Sequence, residues 1–96
     1  MRIALTEAAE ADLVAIHSYY AERSADVAKR VLATILNAIS GLAHFPLIGR
    51  PGEVPGTRER IVRRYPYRIV YHIDETYEIV EIWRVLHSAQ GWPSPW

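Results

Sequence analysis

The chain has 96 residues, half of them hydrophobic, with no cysteine and a net charge of zero. That length holds one domain, residues 1–96, and excludes a disulfide scaffold or a thiolate metal site. No apolar run reaches the roughly eighteen residues of a membrane span, and no signal-peptide pattern opens the chain, so a cytoplasmic protein without a membrane partner is expected.

Arg2 to Leu5 reads as a short strand. Thr6 is a helix N-cap, and Glu7 and Glu10 follow where the helix dipole favours acids. Ala9, Leu13, Ile16 and Tyr20 recur at helical spacing, predicting a first helix that runs to about Arg23. Ser24 caps a second helix with Asp26 in its first turn. Its broad stripe (Ala28, Val31, Leu32, Ile35, Ile39, Leu42) is widened by Val27, Leu36 and Ala38, so it must touch both a sheet and the first helix. Pro46 is predicted to stop it near Phe45. The segment PLIGRPGEVPG is a loop. Three strands follow, roughly Arg58 to Arg63, Tyr67 to Ile73 and Tyr77 to Leu86, the last two joined by a turn at Asp74, Glu75 and Thr76. The order β-α-α-β-β-β predicts an α+β fold: a helical hairpin packed on one face of a mostly antiparallel sheet of three to four strands.

Charge is uneven along this frame. From Arg50 to His72 six arginines stand against Glu53 and Glu59, a balance of +4, whereas Ile73 to Trp83 carries only acids, a balance of −4. Ten of the eleven basic residues are arginine, which suits bidentate anion recognition and equally suits a GC-rich genome. Strand alternation places Arg58, Arg60 and Arg64 on one side, with Glu59, Ile61 and Arg63 on the other. In the next strand Ile69 and Ile73 are expected under the helices, turning Arg68 and His72 to the open side. The expected result is an uncovered sheet face edged by guanidinium and imidazole groups. Such a face fits a nucleic-acid backbone or an acidic protein. The plainer alternative is that its arginines pair with Glu59, Glu78 and Glu81 across strands.

His87 and Gln90 fall just past the last strand. With Arg68 and Arg84, His87 forms a candidate set for metal-independent RNA cleavage, in which a 2′-hydroxyl attacks its own 3′-phosphate. The alternative is a histidine that hydrogen-bonds a turn. The histidines lack metal-ligand spacing, HExxH and glycine-rich phosphate loops are missing, and no cofactor or metal is expected. Trp83, Trp92 and Trp96 read as core and rim residues rather than base-stacking platforms.

Asp12-Leu13 with Ile16 and Tyr20, the loop FPLIGRPGEVPGTRE, the strand VRRYPYRIVYHI and the closing VEIWRVLHSAQGWP together resemble the RelE/ParE superfamily, toxins of bacterial type II toxin–antitoxin pairs. The resemblance spans nearly the whole chain. It implies a toxin held in a hetero-oligomer by a cognate antitoxin, ParD-like in the favoured branch. ParE-like members act on DNA gyrase; RelE-like members cleave mRNA on the ribosome. Arg68 matches the sheet arginine of the RelE-like pattern, and Arg58 or Arg60 stands where it has lysines. Ser88, Ala89 and Gln90 replace its late arginine or tyrosine, and Trp92 occupies the region of its late tyrosine, which favours the ParE-like branch. The alternatives are an mRNA endonuclease using Arg68, Arg84 and His87, and an inactive homologue retaining only antitoxin binding. Arg58, Arg60, Arg64, Arg68, His72, His87 and Gln90 are the candidate target-binding residues. Val27, Val31, Leu36 and Ala38 are the candidate antitoxin-binding residues, unless the first helix covers them.

Overall fold

The computed structural model describes residues 1–93. Its elements are β1 (Arg2–Leu5), α1 (Glu7–Ala21), α2 (Ala25–Gly41), β2 (Arg50–Pro51), β3 (Thr57–Val62), β4 (Tyr67–Asp74) and β5 (Ile79–His87). The sheet order is β1-β5-β4-β3-β2, with β1 parallel to β5 and every other pair antiparallel. The expected α+β architecture is present, with five strands because the loop after α2 contributes the two-residue β2.

Both helices begin as their caps dictate. The Thr6 hydroxyl accepts from the Ala9 amide at 3.1 Å, and that of Ser24 accepts from the Val27 amide at 3.3 Å. Thr6 also donates to the Trp83 carbonyl at 2.9 Å, pinning the start of α1 to β5. The helices form a hairpin across residues 22–24 and bury Leu13 and Ile16 from α1 with Ala28, Val31, Ile35 and Ile39 from α2. Against them lie Tyr67, Ile69 and Tyr71 from β4 and Val80, Ile82 and Val85 from β5. Side chains such as Ile35, Ile69 and Ile82 are fully buried, each worth roughly 1.5–3 kcal/mol relative to exposure.

The structure departs from the sequence reading at the end of α2, at the start of β5 and in the β4–β5 pairing. Helix α2 ends at Gly41, four residues short of Phe45. Glycine has little helix propensity, and the next three amides bond three residues back, to Ile39, Ser40 and Gly41, in tighter turns. Strand β5 starts at Ile79 rather than Tyr77, because Asp74 Oδ1 accepts the Tyr77 amide at 3.1 Å and Glu78 adopts φ 54°, making a wider turn. A bulge interrupts the β4–β5 ladder: Val70 pairs with Arg84 and Tyr71 with Ile82, so Trp83 is the extra residue.

The register of β3 overturns the predicted arginine face. Arg58 pairs with Tyr71 and Arg60 with Ile69, on the helix side, while Glu59 and Ile61 pair with Val70 and Arg68 on the other. Arg64 lies in the turn between β3 and β4. Side-chain alternation has a period of two, so placing β3 one step differently exchanges all of its faces.

Candidate functional site

The side of the sheet away from the helices carries Glu59, Arg68, Val70, His72 and Leu86. It is not uncovered. Val70 and Leu86 are fully buried, and the segment after β5 folds back across them toward Arg68. Arg68 donates through Nη1 to the carbonyls of His87 (3.2 Å) and Ser88 (3.1 Å), and through Nη2 to Gln90 (2.7 Å). Its Nε lies 3.2 Å from Glu59 Oε1, leaving the side chain 11% exposed. Glu59 is diagonal to Arg68 across the β3–β4 ladder and also meets Arg50 at 3.6 Å. The cross-strand pairing that the sequence left open therefore holds for Arg68 with Glu59. His72 donates through Nδ1 to the Gly56 carbonyl at 2.9 Å and stacks obliquely on Trp83, whose ring meets the edge of Trp92 at 6.4 Å between centroids. Trp96 lies outside the described residues.

Arg84 turns to α1. Its Nε and Nη2 donate to the two carboxylate oxygens of Asp12 at 2.7 and 2.8 Å, and the Val85 amide donates to Asp12 Oδ2 at 2.9 Å. The hydrogen bond to Asp12 raises the Arg84 pKa further, against the lowering effect of burial. This clasp joins α1 to the strand just past the bulge, where β1 no longer pairs. In the sequence Asp12 stood out only within the Asp12-Leu13 pattern of the resemblance, with nothing to name Arg84 as its partner.

His87 is exposed at the end of β5. Its Nδ1 accepts the Ala89 amide at 3.1 Å, the turn-bonding role left open above, which places the ring proton of the neutral form on Nε2. Its ring meets the Tyr67 ring edge-on at 5.7 Å. Burial, followed by a 3.4 Å hydrogen bond to the Tyr20 hydroxyl, pushes the Tyr67 phenol well above its ordinary value. Arg68, Arg84 and His87 thus bond to different partners: tail carbonyls and Glu59, Asp12, and Ala89.

Of the residues expected to meet an antitoxin, Val31 is fully buried in the core, and Val27 and Ala38 are half-buried against it. Leu36 is exposed, in an apolar groove between the two helices with Leu13, Val14, His17 and Leu32. The groove therefore sits on the hairpin seam rather than along the far flank of α2. Val14, exposed and one position past the α1 stripe, was its unread signal. Among the described residues no group of three or more histidine, cysteine or acidic side chains is arranged to hold a metal, and no helix is long and apolar enough to cross a membrane.

Two helices on this five-stranded mixed sheet are the fold of solved toxins of toxin–antitoxin systems. The family model described as the ParE toxin of the type II toxin–antitoxin system parDE matches residues 3–92. This chain belongs to that family. It is 41% identical over 78 residues to Y4kP of Sinorhizobium fredii (strain NBRC 101917 / NGR234), a protein whose name proposes it as a toxin; the match covers 81% of this chain and 78% of that one. Two solved structures are similar. One, of a chromosomal ParDE system from P. aeruginosa, has a TM-score of 0.80 at 27% identity, covering 91% of this chain and 95% of the other. The other, of the toxin–antitoxin complex RelBE2 from Mycobacterium tuberculosis, has a TM-score of 0.67 at 29% identity, covering 90% and 95%.

Proposed function

We propose that this toxin is a non-enzymatic inhibitor of DNA gyrase, acting by binding and kept inactive by a ParD-like antitoxin. The supporting observation is the state of the two guanidinium groups that RNA cleavage would need. Arg68 has its donors directed at three backbone carbonyls and Glu59, and Arg84 is held in a two-point bond to Asp12. Guanidinium groups so engaged are poorly placed to follow charge developing on a phosphorane, which calls for donors aimed at the reacting oxygens. The match to the ParE family model points the same way. An antitoxin partner is supported by the likeness to solved toxin–antitoxin systems. The hairpin-seam groove, lined by Leu13, Val14, Leu32 and Leu36, fits an amphipathic helix presenting side chains at helical spacing.

The test is a supercoiling assay with purified gyrase beside a ribosome-bound mRNA cleavage assay. The expected result is loss of supercoiling with intact transcripts, and a His87→Ala variant that still arrests growth. Cut transcripts, together with a harmless His87→Ala variant, would overturn the reading in favour of the endonuclease. A wild-type protein that leaves growth untouched would instead fit a homologue that only binds antitoxin.

A further inference from the structure

The loop between α2 and β2 keeps three large apolar side chains in water while its backbone is firmly held. Phe45, Leu47 and Ile48 are 67%, 69% and 55% exposed. Below them, the hydroxyl of the buried Tyr71 donates to the Pro46 carbonyl at 2.6 Å and accepts the Gly49 amide at 2.9 Å. Arg58 donates through Nε and Nη2 to the Gly49 carbonyl at 3.1 and 2.7 Å, and through Nη2 to that of Leu47 at 3.1 Å. Position 49 admits only glycine, because a Cβ there would come within 2.5 Å of the Tyr71 hydroxyl and 2.8 Å of the Glu59 carbonyl. A loop fixed in this way loses little conformational freedom on binding, and an exposed apolar patch with a polar rim marks an interaction surface.

The rim is cationic. Ile48 borders both the apolar hollow of Phe45 and Leu47 and a second hollow edged by Arg50, Arg60 and Arg63. The Arg50 side chain is 66% exposed. Glu59, the acid at the base of the second hollow, is buried and paired with Arg68 at 3.2 Å and more loosely with Arg50 itself at 3.6 Å, so Arg60 and Arg63, which have no carboxylate partner among the described residues, carry the free charge of the rim. Three apolar anchors add nothing to contact with a phosphate backbone, where contacts are polar and ionic. They suit a protein surface, and the arginines require that surface to be acidic. The patch shares no residue with the groove on the hairpin seam.

We infer that this loop and its arginine rim are the target-binding surface, and that the target presents an apolar pocket bordered by carboxylates. The inference rests on the toxin reading above and deepens it. The experiment induces the full chain in bacteria and counts survivors. The variants are Leu47→Ser with Ile48→Ser, Arg60→Glu with Arg63→Glu, and, as a control, Tyr77→Ser, an exposed residue of the β4–β5 turn that lines neither hollow, each checked for an unchanged melting temperature. Both double variants should raise survival at least about tenfold, the effect of losing one interface anchor, while Tyr77→Ser kills like the wild type. Folded double variants that kill normally overturn the inference. So does a loss confined to the arginine pair accompanied by wild-type binding to a DNA duplex, which would make the surface a nucleic-acid site. If the wild type arrests growth without inhibiting purified gyrase, the gyrase reading fails and the survival counts still decide the surface; if it does not arrest growth, both fall.

Discussion

On the helix side of the sheet, Ile35, Ile69 and Ile82 exclude water by packing alone; on the other side, Arg68, Glu59 and the carbonyls of the returning tail do so with charge and hydrogen bonds. An apolar layer degrades gradually, since losing one methylene costs its own burial plus a small void. A polar mesh fails as a unit, because removing one member leaves the others desolvated and unpartnered. The two sides of one sheet are thus differently built and differently fragile.

The largest effect should come from the helix side. Ile69→Ala removes a fully buried side chain from the centre of β4, and the unfolding free energy in urea should fall by about 3–4 kcal/mol. A loss under about 1 kcal/mol would mean that the layer collapses around voids and is not close-packed. Next, Glu59→Gln leaves Arg68 charged and largely buried, at an expected cost of about 2–3 kcal/mol. Here the contrast between the faces can be sharpened, because adding Arg68→Gln should recover part of that loss, whereas a second core truncation beside Ile69→Ala should only add to it. Asp12→Asn tests a polar clasp between helix and sheet; replacing a carboxylate that holds Arg84 and the Val85 amide should cost about 1–2 kcal/mol by the same measurement.

The smallest effect at neutral pH belongs to Tyr67→Phe, and its signature lies in alkali. The folded phenol holds its proton more tightly than the unfolded one, whose ordinary value is 10.0. The stability tied to Tyr67 is therefore fully present below pH 10 and is lost as pH rises above it, when only the unfolded chain ionises. Urea midpoints of the wild type should fall above about pH 10, and Tyr67→Phe should flatten that fall. Identical slopes would remove Tyr67 as the cause.

These differences also explain what could be read from the chain alone. The helices, their caps and the buried side of β4 follow from local spacing: Thr6, Ser24, and Ile69 alternating with Arg68. The sequence TRERIV alternates acid and base and then puts Ile61 and Val62 on opposite sides, so nothing local says which of its sides meets the helices; the register with β4 decides. Likewise the burial of Glu59 depends on Arg68, one strand away. The segment HSAQGWP shows no sign that its carbonyls, not its side chains, will meet a guanidinium. The loop PLIGRPGEVPG was legible as a loop, but its anchor, the Tyr71 hydroxyl, sits 25 residues from Pro46. Interactions between backbone acceptors and distant donors leave no pattern in composition or period.

Strand β5 is the last of the five to be synthesised, yet it lies between β1 and β4. Until residues 79–87 leave the ribosome, β1 has no neighbour, the Thr6 hydroxyl lacks its acceptor on Trp83, and Asp12 has no guanidinium to clasp. Pairings across such sequence separation form late and slowly. A nascent chain interrupted before β5 therefore carries two well-capped helices and no closed sheet, and such a fragment is readily cleared by proteases before it can resemble the finished protein.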